Sequence, residues 1–486
     1  MEVNALNTPI CDFVENYVRS GAVRMHMPGH KGHSDARSQL PVEAYDITEI
    51  EGADELFHAK GIIAESEQNA SELFGCDTYY STEGASLTIR AMLYLCCTRA
   101  NSESQSTCAG SSSSRPWVLA ARNIHQSFVS AAALLDLDVT WIFSKTSSLL
   151  SMDLSAEEVR EELRSAKENG QKLPCCVYLT SPDYLGHILP IGDIAEVCHE
   201  YGVPLVVDNA HGAYLKFLEK SLHPIDLGAD LCCDSAHKTL PVLTGGAYLH
   251  VSPAAKEKYA ITNEKVKQAL HLFASTSPSW LILQSLDRVN KILAEDFRSR
   301  LLEICGEVFA LKTILRERGF KLFGEEPLKI TIQPRSYGYT GSELAAILRQ
   351  NGKSKPIEAE FADMDSIVLM VSVNTTKEEM QALKEALLAV SGKETEAEGE
   401  NSENKNTQAP FPTLRPKQVM RIREACFAPF ETVPLEQAEG RIAHMFPASC
   451  PPAVPIVVCG EKIEAEEISC LHFYGYNFCQ VVADQP

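Results

Sequence analysis

One lysine, Lys238, stands in the stretch D-S-A-H-K-T-L-P-V-L-T-G-G-A-Y-L-H, residues 234–250. It lies in a turn between two apolar runs, and a Gly-Gly pair then releases the chain into a new strand. An amine in such a turn suits imine formation with a carbonyl group. Other polar residues gather at comparable places. Asp208 ends the apolar run P-L-V-V-D, Thr180 and Ser181 end C-C-V-Y-L-T-S, and His125 follows P-W-V-L-A-A-R. Ser235 and His237 come just before the lysine. T-E-G-A-S, residues 82–86, is a small-residue turn entering a helix, a suitable backbone cradle for an anion. A lysine for a Schiff base, a carboxylate for a pyridinium nitrogen, a flat side chain over a ring and a Gly/Ser turn for a phosphate together fit pyridoxal phosphate.

The elements that must position these groups alternate. Short apolar runs at 116–122, 175–182, 204–208 and 229–234 read as strands buried on both faces. Between them lie helical patterns. Residues 155–170 are amphipathic, opened by a capping box of Ser155 and Glu158 and closed by Gly170, and 193–202 end at Gly202. Such alternation means βαβ units and a mainly parallel sheet, with sites at the carboxyl ends of its strands. A further α/β segment follows: a long helix around 300–319, a strand at 328–334, a helix opened by Thr340 and Glu343, and a strand at 365–372. The Ser-rich residues 101–116 read as a surface loop, and 392–410 as a solvated acidic linker.

With 486 residues the chain is long enough for two or three domains. A formal charge of −21 argues against nucleic acid or an anionic membrane as partner and suits a cationic small molecule. No basic, apolar leader opens the chain and no apolar run approaches the ~20 residues of a membrane span, so a cytoplasmic enzyme is expected. Sixteen cysteines include the adjacent pairs 96–97, 175–176 and 232–233 but no C-x-x-C. Buried reduced thiols explain them better than a metal or a disulfide framework, and no metal is expected.

Several blocks carry a resemblance: R-M-H-M-P-G-H-K-G (24–32), residues 46–75, V-D-N-A-H-G-A-Y (207–214), D-S-A-H-K-T-L-P-V-L-T-G-G-A (234–247) and S-T-S-P-S-W (275–280). Together they resemble the Orn/Lys/Arg decarboxylases, of the aspartate-aminotransferase-like fold type I. The likeness returns at 429–442 and 450–463, and in length the chain is similar to the shorter bacterial members. The resemblance implies a large cofactor domain (41–290) after an N-terminal segment (1–40). A small α/β domain (291–391), the linker (392–410) and a C-terminal α+β domain (411–486) follow. It implies pyridoxal phosphate as cofactor and decarboxylation of arginine, lysine or ornithine, with arginine slightly ahead. Lys238 is then the cofactor lysine, Asp208 the partner of the ring nitrogen, His125 the residue stacked on the ring and Ala210 the small residue on its other face. Ser235, His237, Ser86 and the backbone of Ala85 take the phosphate, and Thr180 completes the shell. His211 lies near the phenolic oxygen or is simply a buried, hydrogen-bonded histidine. His30 in the P-G-H-K-G turn and Glu431 in P-F-E-T-V-P are candidate substrate contacts. Thr276, in S-T-S-P-S-W, reaches the phosphate of a neighbouring subunit, so a homodimer is expected.

Departures from the family pattern fall mostly outside this cofactor shell. Glu83 stands where asparagine is common, Asn209 where glutamate is, and Asp183 where threonine is. C-P-P-A-V-P replaces Y-P-P-G-I-P, and no acidic residue follows G-R-I at 440–442. Substrate recognition is therefore the more open question. Two other readings remain at this point. One is another fold type I reaction such as aminotransfer, for which Arg335 is the candidate carboxylate clamp. The other is a non-catalytic paralogue.

Overall fold

The computed structural model describes residues 6–22, 24, 27–28, 31, 42–107, 115–145, 148–350, 356–393, 414–445 and 452–484. Its main sheet has seven strands: β1 (Asp77–Ser81), β2 (Trp117–Ala121), β3 (Asp138–Ile142), β4 (Cys176–Thr180), β5 (Leu205–Asp208), β6 (Leu231–Asp234) and β7 (Ala247–Val251). Their spatial order is β1-β7-β6-β5-β4-β2-β3. β5 pairs with β6 in parallel, as does β2 with β3, whereas β7 runs antiparallel to both β6 and β1. The carboxyl ends of β1, β5 and β6 therefore share one edge with the start of β7. β5, β6 and β7 are buried along their whole length, as their unbroken apolar runs require.

The chain divides into two compact units. The first comprises Met1–Ser112, Cys175–Val177 and Ile191–Leu302. Here the helix Trp280–Ala294 supplies Asp287, whose buried carboxylate accepts from the Cys11 backbone N–H (2.9 Å) and the Ser66 hydroxyl (2.6 Å). That pins the N-terminal helix Pro9–Ser20.

The second unit comprises Ser113–Pro174, Tyr178–Pro190 and Glu303–Pro486. It contains an antiparallel four-stranded sheet of Lys321–Phe323, Lys329–Gln333, Phe361–Ala362 and Ile367–Met370. The C-terminal segment pairs Phe430–Pro434 with Phe478–Val482 over a core that includes Leu435, Ile463, Leu471 and Val481.

Local signals translate directly into these elements. Ser155 and Glu158 form the expected capping box on the helix Ala156–Glu168, and Thr340 and Glu343 do so on Gly341–Arg349. The long helix near 300–319 is Phe297–Glu317. One expectation fails. The helix Gly84–Thr107 runs into the Ser-rich stretch and takes up 101–107, because its polar residues cost a helix little and the first breaker is Gly110. The rest of that stretch to residue 114 lies outside the described residues, as do 394–410 of the linker, 411–413 of the C-terminal segment and His30. Among the described residues, no helix is long and apolar enough to cross a membrane.

Candidate active site

The turn that carries Lys238 is built from its sequence. Ser235 precedes a single helical turn, Ala236–Thr239, and the Ser235 carbonyl accepts from the Lys238 N–H at 3.0 Å. Two glycines then bring the chain back. Gly245 has φ +98°, and a Cβ there would stand 2.9 Å from the Thr82 carbonyl oxygen. Its own carbonyl accepts from the Gly84 N–H at 2.8 Å. The glycine pair thus lets the lysine turn approach the cradle at the start of the helix Gly84–Thr107. Ala85 is buried and Ser86 half-buried in the first turn of that helix. The His237 ring lies 3.0 Å, through Nδ1, from the Gly246 carbonyl oxygen.

Register places the carboxylate. Asp208 lies opposite Cys233 in the β5–β6 ladder, and it is buried at 2 % exposure. Its Oδ1 accepts from the Ala210 N–H (3.1 Å) and the Cys233 thiol (3.6 Å). The Lys238 Nζ lies 2.9 Å from the buried His211 Nε2. Lys238 is thus a hydrogen-bond partner of His211. An ammonium donates to a neutral imidazole there, and a neutral amine accepts from a protonated one.

Beneath these residues lies a network that sequence reasoning did not assign. Asp234, the last residue of β6, is fully buried, and its Oδ2 lies 3.1 Å from both His223 Nε2 and His250 Nε2. Its Oδ1 accepts from the Asn209 amide at 2.6 Å. Burial alone would raise the Asp234 pKa, but the two histidines hold it well below the usual carboxylate range. Burial works against a charge on His250 too, yet the Asp234 charge beside it raises its pKa. Two imidazoles and a carboxylate can also hold a metal. However, His223 Nδ1 accepts from the Ile225 N–H at 3.4 Å, which leaves Nε2 as a donor rather than a ligand. The trio is therefore an ion network. It ties the residue between Asp208 and Ala210 to the strand that leads to Lys238. Polar residues ending or interrupting the apolar runs L-C-C-D and A-Y-L-H-V were the signal for it. Asp234→Asn is expected to cost about 3–5 kcal/mol, because His250 loses its buried counter-charge. Urea unfolding of the apo-protein measures it.

The remaining candidates are placed as follows. His125 caps the helix Gln126–Leu135, its Nδ1 accepting from the Ser127 N–H at 3.1 Å, which leaves the proton on Nε2. Three residues earlier, the buried Arg122 guanidinium donates to the carbonyls of Pro455 (2.9 Å) and Ile456 (3.1 Å) and to Glu461 Oε2 (3.0 Å). The Gln126 N–H donates to the Ala453 carbonyl at 2.8 Å. Ala453 has φ +55° and occupies the glycine position of the P-P-G-I-P pattern, so this chain keeps the left-handed turn with a side chain on it. Thr180 ends β4, and its buried Oγ1 has no hydrogen-bond partner among the described residues. Thr276 is exposed, and its neighbour Ser275 donates its N–H to Glu83 Oε1 at 2.7 Å. Glu431 lies exposed on the strand Phe430–Pro434 and is ion-paired to Arg441. Arg335 is committed to Asp365, 3.1 Å away.

The first unit by itself offers the donor set that pyridoxal phosphate needs. It has a buried carboxylate, an amine with a proton partner, and a glycine-opened helix start with a hydroxyl. A Cβ at Gly84 would meet nothing within 4 Å, so the cradle is open. A mainly parallel seven-stranded sheet with a lysine just past one strand and an aspartate ending its parallel neighbour is the fold type I architecture of pyridoxal-phosphate enzymes. The solved lysine decarboxylase of Francisella novicida superposes with TM-score 0.76 at 16% identity, over 99% of this chain and 82% of that one. The constitutive lysine decarboxylase of E. coli does so with TM-score 0.73 at 16% identity, over 98% and 82%.

The sequence then fixes the family. Residues 8–324 match the Orn/Lys/Arg decarboxylase major domain and residues 398–479 its C-terminal domain. The chain belongs to the Orn/Lys/Arg decarboxylase family, whose reaction is decarboxylation of a basic amino acid. It is similar to the arginine decarboxylase of Bacillus subtilis (strain 168), at 27% identity over 95% of this chain and 92% of the relative. It is likewise similar to that of Halalkalibacterium halodurans, at 28% over 95% and 92%.

Proposed function

We propose that this chain decarboxylates arginine in preference to lysine and ornithine, with pyridoxal phosphate held at Lys238. The observation that carries the site is the Lys238–His211 contact at the shared carboxyl edge of β5 and β6, inside a chain matched by both family domains. When bound, pyridoxal phosphate supplies an aldehyde for imine exchange and an electron sink for the pair left by carbon dioxide. Lys238 provides the amine, and His211 takes its proton so that nitrogen can act as a nucleophile. Asp208 would hold a proton on the ring nitrogen, and its burial would strengthen that contact by excluding water. Ser86, the Ala85 N–H, Ser235 and His237 hold the phosphate, and Ala210 leaves room at the ring face. The resemblance adds His125 and Thr180, both residues of the second unit, to this shell. It also adds Thr276 from a second subunit, which would make the enzyme a homodimer.

Arginine leads because the curated relatives named above are arginine decarboxylases. Glu431 is offered as a contact for the guanidinium through the resemblance alone, and a substrate would have to displace Arg441 from it. His30 is offered on the same ground. The ion pair of Arg335 with Asp365 weakens the aminotransferase reading, for which Arg335 is the candidate clamp. The test is the rate of amine release from each substrate. Agmatine should form faster than cadaverine or putrescine, by about ten-fold in kcat/KM if one bidentate contact separates them. Faster release from lysine or ornithine would remove the arginine assignment.

A further inference from the structure

The second unit contains a recess of about 600 Å3, within the size range of small-molecule sites. Its walls come from the helix Gly341–Arg349, residues 359–364, and the C-terminal segments 452–456 and 473–476. None of these residues belongs to the lysine site. Phe361, Phe473, Tyr474 and Tyr476 are half-buried around it, above an apolar floor that includes Leu150 and Val454. The charges in the recess are unbalanced. Its cation, Arg349, is taken by Glu358, which accepts from Nε at 3.0 and 2.9 Å and lies 2.9 Å from Nη2. Two carboxylates remain. Glu360 Oε1 accepts from the Tyr184 hydroxyl at 3.0 Å, a neutral donor that orients the group and leaves its charge. Asp363 Oδ1 accepts from the N–H groups of Asp365 (2.8 Å) and Ser366 (2.7 Å). Neither carboxylate forms an ion pair among the described residues; burial pushes the Asp363 pKa up to about 6, against the weaker pull of the nearby Arg335 guanidinium. Asp365 itself is occupied by Arg335.

We infer that this recess binds an alkylamine cation, specifically a diamine or guanidino-alkylamine. The ammonium sits between Glu360 and Asp363, and the methylene chain lies on the aromatic and apolar walls. That a cation binds follows from the recess; the choice of this amine class rests on the decarboxylase reading, because such amines are its products. The recess also separates product from substrate. A basic amino acid carries a carboxylate into a site with two unpaired carboxylates, whereas the product has lost that group as carbon dioxide.

Equilibrium dialysis with labelled butane-1,4-diamine tests this, using the wild-type protein and Lys238→Ala, with ornithine as the carboxylate-bearing comparison. One saturable site per chain is expected in both proteins, weakening as salt rises. Ornithine should bind about ten-fold more weakly or worse, and Glu360→Gln and Asp363→Asn should each weaken diamine binding about ten-fold, with unchanged circular dichroism. Absence of saturable binding to Lys238→Ala, or equal binding by both charge variants and their parent, overturns the proposal. Binding to wild type but not to Lys238→Ala would place the diamine at the lysine site. That outcome sinks the recess and leaves the decarboxylase reading standing. Diamine binding by a protein that releases no amine from any basic amino acid would sink the reading instead and leave the cation site.

Discussion

Lys238→Ala is expected to lose the visible absorption of the lysine-bound cofactor, and to lose turnover by about four orders of magnitude or more. The fold should survive. The side chain is half-buried, so truncating it opens no core cavity. Absorbance and steady-state rates of the purified variant check this. A variant that still yields a borohydride-reducible lysine adduct with wild-type colour would move the cofactor to another lysine. His211→Asn refines the same experiment. With its proton partner altered, the pH at which the lysine-bound cofactor changes colour should shift, whereas a purely packing role would leave it in place.

Asp208→Asn is expected to lower kcat roughly 10^2- to 10^3-fold while the apo-protein stays at least as stable as wild type. Stability holds because Asn Oδ1 can still accept from the Ala210 N–H, and because a buried charge has been removed. Activity falls because a neutral amide no longer keeps the ring nitrogen protonated. Near-normal kcat together with an unchanged cofactor spectrum would contradict the role assigned to Asp208. Denaturant midpoints for the apo-proteins distinguish a lost function from a lost fold.

The sheet was legible because its strands are continuous apolar runs ended by polar residues. P-L-V-V-D and L-C-C-D each stop where the structure ends β5 and β6. Capping boxes were legible for a similar reason, since Ser155–Glu158 and Thr340–Glu343 satisfy backbone groups only three residues away. What depended on distant partners was not legible. Asp234 stands within the lysine motif, but its histidines lie 11 residues upstream and 16 downstream, and only the β6–β7 pairing brings His250 beside it. Arg122 and Glu461 are more than three hundred residues apart, so no local pattern announces their buried pair. Glu431 shows the same limit at shorter range. A carboxylate in a matching block looked available, yet Arg441 on the same segment takes it. The Ser-rich stretch was misread at its start because composition was given more weight than the absence of a helix breaker before Gly110.

The fate of the α-carboxylate tests the central claim most directly. The holoenzyme would be given 1-13C-labelled arginine, lysine and ornithine in turn, and labelled carbon dioxide and keto acid would be counted in the same reaction. The account predicts carbon dioxide equal to the amine formed, with keto acid at trace level, for at least one of the three. Keto acid as the main product, with the label retained in it, would contradict decarboxylation, and no release of label from any of them would contradict an active enzyme of this family.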